Sequence, residues 1–227
     1  MVNYDDIPLF PLHVVLFPDM PLPLHIFEPR YREMILRCRE EKSPFGVTLI
    51  QNGADIGAEA VPRQVGTLAR IAQYEELPDG RMNILVFGES RFRITRTFHD
   101  KPYLSASVSL IGEEPTDAEA LQPDFDAVAA LFRAYLQSLL AMSGRTLSTL
   151  QLPQEPEYLS YAVASVLQVP PSEKQALLEI TGTELRLRRE IEILSAEIEV
   201  QDTLQSVVGG MSVPVDMQEL GRLASLN

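Results

Sequence analysis

Residues 7–31 read IPLFPLHVVLFPDMPLPLHIFEPRY, a strongly apolar run that holds six prolines: Pro8, Pro11, Pro18, Pro21, Pro23 and Pro29. A segment this apolar has to be buried, yet prolines at this spacing interrupt every helical turn. A membrane-spanning helix, which needs about 20 helix-competent apolar residues, is thereby excluded. A signal peptide fits no better: the preceding MVNYDD carries two acids and no base, and no small-residue cleavage site follows. Short strands bounded by prolines remain. Pro8 and Pro11 are expected to punctuate a short first strand, and Pro18 to close the loop after VVLF. Pro21 and Pro23 lie two apart, so on a strand their missing N–H groups face one way. They would blunt one edge while Leu22 and Leu24 pack. Pro29 is placed to open the first helix, with Glu28 at the N-terminus complementing the dipole and pairing with Arg30 or Arg32.

The rest of the chain divides by period. YLSASVSL (Tyr103–Leu110) and RFRITRTF (Arg91–Phe98) alternate as half-buried strands. NILVF (Asn83–Phe87) is a continuous run of the kind covered on both faces. Gly88 between these runs suggests a bulge or bend. Asp79-Gly80 signals a hairpin with Val65–Leu77 as the other strand, FGVTLIQ (Phe45–Gln51) is one more strand, and a helix is expected near Pro29–Glu41. From Thr116 the period becomes helical. Phe125, Val128, Ala129, Phe132, Leu136, Leu139 and Leu140 form one stripe, with Pro123 expected at the helix start. Pro156 would open a second helix with Leu159, Ala162, Val163, Val166 and Leu167 as its stripe. Ser172 with Gln175, and Thr181 with Glu184, fit capping boxes. The longest helix is expected from Thr183 to Val208 on a stripe of Leu187, Ile191, Leu194 and Ile198, ended by Gly209-Gly210. Arg186–Glu190 and Arg188–Glu192 read as i,i+4 ion pairs on its solvated side. The expected organisation is a β-rich unit over 1–114, a helical bundle over 115–210 and a tail over 211–227, docked or frayed.

Charge narrows the function. The net charge of the 227 residues is −13. Residues 1–112 hold 12 basic and 14 acidic side chains, and residues 113–227 hold 7 and 18. An acidic surface repels phosphate, which argues against nucleic acid. The cluster Arg91, Arg93 and Arg96 is the one candidate basic patch, and a solvated strand face is the preferred reading of it. A single cysteine, Cys38, in a helical context with no adjacent histidine, fits a reducing cytoplasm better than a nucleophile. His13, His25 and His99 have no ligand spacing, so neither metal nor cofactor is expected. There is no Gly-Lys dipeptide, GxGxxG, HExxH, CxxC or GxSxG. The acidic pairs Asp5-Asp6, Glu40-Glu41, Glu75-Glu76 and Glu113-Glu114 sit beside turns or helix ends, where solvated charge is expected. An enzyme is not expected.

IPLFPL, LFP and LPLHIFEPRYREM together resemble the opening signature of the Lon N-terminal domain family. GTLARI, DGRMNILVFGESRFRI and the strand-to-helix switch are similar to its later pattern, and the likeness runs from Ile7 to Val208. The resemblance implies an α+β fold: a small PUA-like β-barrel subdomain with one helix, then a helical bundle ending in a long helix. In ATP-dependent Lon proteases this domain precedes an ATPase module and a serine–lysine protease module. There it contributes to substrate recognition and hexamer assembly without catalytic residues. With no Walker motif after the long helix, a stand-alone Lon-domain protein of the kind found in bacteria is expected. The implied function is non-catalytic binding of unfolded or degron-like protein segments, in a cytoplasmic monomer or weak dimer, with no membrane. An RNA-binding PUA-like module and an enzyme with an unrecognised site are the alternatives. An apolar groove between the two halves is expected, with Phe17, Met20, Leu22, His25 and Phe27 as surface candidates. Among these, Leu22 and Phe27 read more naturally as core, and Met20 more naturally as surface. Pro8, Pro11, Pro18, Pro21, Pro23, Glu28, Pro29, Arg30 and Tyr31 carry the structural motif.

Overall fold

The computed structural model describes residues 3–52, 61–142 and 150–210. Among these, β1 (Asn3–Leu12), β2 (Pro21–Ile26), α1 (Pro29–Glu41), β3 (Phe45–Asn52), β4 (Val61–Glu76), β5 (Met82–Phe98) and β6 (Ser105–Ile111) come first. The helices α2 (Ala118–Met142), α3 (Pro156–Val166), α4 (Pro171–Glu179) and α5 (Thr183–Gly210) follow. The sheet order is β2-β5-β4-β3-β1-β6, and the second half of β5 also pairs with β6. The result is a barrel-like α+β half with α1 as its one helix, followed by a helical half.

The apolar opening is explained by burial on both sides. Ile7 and Leu9 enter one cluster with Leu68, Phe92 and Val108, while Phe10 enters another with Tyr31, Met34 and Phe45. A strand covered on both faces reads as a continuous apolar run. Pro8 and Pro11 do not bound a short strand as expected; both lie inside the ten-residue β1. Leu9 keeps the strand tied by donating its N–H to the Leu104 carbonyl at 2.8 Å. β2 pairs with β5 alone, so Pro21 and Pro23 do stand on an edge strand. The Glu28–Tyr31 motif behaves as read. Pro29 takes the first helical position of α1, and Arg30 Nε donates to Glu28 at 2.9 Å. Tyr31 packs its ring 4.2 Å from Phe10.

Gly88 lies within the continuous β5, and the register against β4 slips beside it, between the pairs Thr67↔Arg91 and Ala69↔Gly88. A Cβ there would lie 2.2 Å from the Phe17 carbonyl oxygen, so the glycine is required by close approach. The Asp79-Gly80 hairpin forms, with Gly80 at φ 77°.

The helical half departs from expectation at its ends. α2 begins before Pro123, which lies inside the helix, because Asp117 caps the first turn by accepting the Glu119 N–H at 3.1 Å. Neither capping box forms. Gln175 instead donates to the Val65 carbonyl at 3.0 Å, and the Thr181 hydroxyl donates to Glu114. Val166 is exposed, although Leu159, Val163 and Leu167 are buried as expected. α5 includes Gly209 and Gly210, which were expected to end it. The tail over 211–227 lies outside the described residues.

Candidate functional site

The two halves meet along the connection between β1 and β2. Thr67 donates its hydroxyl to the Leu16 carbonyl at 2.6 Å. The Asp19 N–H reaches the Gly88 carbonyl and the Gly88 N–H the Met20 carbonyl, each at 3.0 Å. Asp19 turns the chain at φ 61°, a conformation aspartate tolerates. The connection is thus pinned to β5, and it drives Phe17 into the helical core, with its ring 6.2 Å from Tyr161.

Beside Phe17 runs a groove of about 440 Å³ between this connection and the α3–α4 junction. Val14, Val15, Met20 and Leu22 line one wall, and Leu167 and Val169 the other. Val14 is exposed, and Val15, Met20 and Leu22 are half-buried, so the wall is apolar and open to solvent. Lys174 also lines it, donating Nζ to the Ser165 carbonyl at 2.7 Å. Burial pushes the pKa of that ammonium down.

Of the five surface candidates, the structure brings Met20 and Leu22 into this groove and leaves two elsewhere. Phe17 is 0% exposed and forms the groove floor rather than a free surface, because the pinned connection aims it inward. His25 lies at the far end of β2, bonded to Asn83 at 2.8 Å and stacked with Phe27. Phe27 is 61% exposed and not core, since it follows the last residue of β2, where no element covers it.

Tyr161, the ring beside Phe17, belongs to a polar cluster that local sequence patterns do not predict. Glu113 accepts hydrogen bonds from Arg91, from the Tyr161 hydroxyl, from Thr183 at 2.8 Å and from Arg186 at 3.2 Å. Arg91 also donates to the Leu178 carbonyl at 2.9 Å, and Arg186 to the Ile180 carbonyl at 3.0 Å. Arg186 Nε donates to Ser160 Oγ at 2.7 Å, and Ser160 donates to Glu190 at 2.8 Å. Burial alone would raise the Glu113 pKa, but Arg186, Tyr161, Arg91 and Thr183 together hold it below the usual carboxylate range. Four expectations are corrected here. Arg186 and Glu190 do not form a solvated pair; both are 0% exposed, facing α3. Arg188 pairs with Asp124 and Glu184 rather than with Glu192. Arg91 is 2% exposed, so Arg91, Arg93 and Arg96 share neither a basic patch nor a solvated face. Glu113 is only 18% exposed, not solvated. One signal was present: Thr183, Arg186 and Glu190 fall on or beside the stripe that continues as Leu187 and Leu194.

The cluster binds its own elements together: both Nη atoms of Arg91 and all three guanidinium nitrogens of Arg186 donate to protein oxygens. The Cys38 thiol is buried in α1, and burial pushes its pKa up to about 11, so it is protonated near neutrality. Among the described residues no group of three His, Cys, Asp or Glu is placed to hold a metal, and no helix is long and apolar enough to cross a membrane.

A family model described as the ATP-dependent protease La (LON) substrate-binding domain matches residues 6–196. The chain is 32% identical over 202 residues to a Lon protease of Rhizobium meliloti, covering 85% of this chain and 24% of that protein. It is 27% identical over 222 residues to one of Chloroherpeton thalassium, covering 94% and 26%. It therefore spans about a quarter of the length of these curated relatives. Among solved structures, a Lon N-terminal domain protein from Xanthomonas campestris superposes with a TM-score of 0.59 at 24% identity, covering 83% of this chain and 96% of that one. The N-terminal domain of a Mycobacterium avium complex Lon protease gives 0.57 at 20%, covering 84% and 98%.

Proposed function

The chain belongs to the LON substrate-binding domain family, and from that premise we infer that it is a non-catalytic module that binds extended or unfolded segments of other proteins in the groove at Met20 and Leu22. The observation that carries this reading is the groove itself: about 440 Å³, walled by half-buried apolar side chains on a connection whose backbone is pinned. A wall already held in place loses little entropy when a segment docks, and exposed apolar area supplies the driving force. Methionine at the rim suits partners of varied shape. The one cysteine, a buried free thiol, fits a reducing cytoplasm.

The test is fluorescence anisotropy with a labelled, permanently unfolded model protein. Met20→Glu puts a charge on the apolar wall and is expected to weaken binding by about tenfold or more. Met20 is half-buried and packs against two core clusters, so a melting curve accompanies the titration and binding is compared at a temperature where both proteins are folded. Binding by the wild-type chain no tighter than by an unrelated acidic protein of equal size would overturn the reading.

A further inference from the structure

We propose that the seam selects extended segments in which an apolar side chain lies about three positions from a lysine or arginine. The proposal rests on the segment-binding reading above and adds the chemistry of the segment. The apolar groove does not stand alone. Beyond the Phe17–Tyr161 contact lies a second cleft of about 470 Å³, framed by Pro18, Asp19, Glu89, Glu157 and Tyr158, with Glu113 and Arg91 at its base. The same two elements wall both: the β1–β2 connection gives Phe17 and Met20 to the groove and Pro18 and Asp19 to the cleft, while α3 gives Ser165 to the groove and Tyr158 and Tyr161 to the cleft. Residues 158, 161 and 165 lie on one face of a helix. The rise from Tyr158 to Ser165 is about 10 Å, which an extended chain covers in about three residues.

The charges in the cleft are not equivalent. Arg91 is taken up by Glu113 and by the Leu178 and Ile180 carbonyls, and Glu89 is paired with Arg70. Asp19 and Glu157 have no ion pair or side-chain hydrogen bond among the described residues. Burial pushes the pKa of each up; at Glu157, Glu113 and Asp19 add to the rise while the Arg186 and Arg91 charges offset part of it. A basic side chain entering the cleft would give both carboxylates the ion pair they lack, and the exposed Tyr158 ring lines the same cleft. An apolar residue would at the same time fill the groove at Met20 and Leu22. Addition of a strand along β2 is disfavoured, since Pro21 and Pro23 remove donors from that edge.

Three labelled peptides of one length test this, each with a leucine anchor and with Lys, Gln or Glu three positions away. The wild-type chain is expected to bind the Lys peptide at least about threefold more tightly than the Gln peptide and the Glu peptide most weakly, with the spread narrowing in about 0.5 M salt. Glu157→Gln combined with Asp19→Asn, which tolerates the left-handed backbone, should abolish the ranking and leave the Gln peptide unchanged. Equal binding of the Lys and Glu peptides, or a ranking that survives in the variant, would overturn the charge proposal while leaving segment binding in place. Failure of all three peptides to bind would overturn both.

Discussion

Glu113 ties three elements together at the seam. It accepts from Arg91 on β5, Tyr161 on α3, and Thr183 and Arg186 on α5. Removing one partner of a buried ion cluster leaves the others desolvated and uncompensated. Glu113→Ala is therefore expected to cost about 3–5 kcal/mol in urea unfolding at pH 7. The pH dependence follows from the lowered carboxyl. The unfolded chain takes up the proton at higher pH than the folded one. The stabilisation is complete above the unfolded value near 4.5 and is lost as pH falls through the lower folded value. The stability gap between wild type and Glu113→Gln should narrow as pH drops below that point; a gap independent of pH would mean that the carboxylate charge is not what the arginines hold. Glu190 has the opposite sign. Burial pushes its carboxyl well above the ordinary range, against the Ser160 hydrogen bond and Arg186, and its Oε2 has no partner. The folded chain retains a proton that the unfolded chain releases above about pH 4.5, which costs stability at neutral pH. Glu190→Gln is expected to be about 1–2 kcal/mol more stable than wild type at pH 7, with the gain vanishing toward pH 4. Neither role was legible locally. Glu113 reads as one of several acidic pairs beside turns, and Arg186–Glu190 as an ordinary helical ion pair.

Elements whose limits depend on backbone chemistry were legible. Pro29 and the charged residues through Glu41 bound α1 as expected, and Asp79-Gly80 makes its hairpin. Pro21 and Pro23 mark an edge strand because a missing donor is tolerated there. Replacing both with threonine would return two donors to that edge. The variant is expected to self-associate in sedimentation velocity at concentrations where the wild-type distribution is unchanged; an unchanged distribution would show that the prolines do not guard the edge. Element ends set by side-chain capping were less legible, for a physical reason. Gln175 and Thr181 had competing partners, the Val65 carbonyl and Glu114, supplied by distant parts of the chain. A capping box forms only when nothing better is in reach.

At the scale of the molecule, the two halves share one core as well as one polar cluster. Phe17 and Val65 from the β-rich half lie in the cluster formed by Val128, Tyr135, Leu159, Tyr161 and Leu194. We propose on this basis that residues 3–210 unfold as one cooperative unit. Far-UV circular dichroism and tyrosine fluorescence should then give coincident urea transitions, and separated midpoints would refute it. The sequence by itself determined the switch from strand to helix period, the edge prolines, the first helix and the family resemblance, because periodicity and proline sterics act over a few residues. Only the tertiary structure decided that Phe17 is a floor and Phe27 a surface, and that Arg91, Glu113 and Arg186 meet. Those partners are separated by 22 and 73 residues, and which buried charge finds which is settled by how the sheet and helices pack, not by neighbours in the chain.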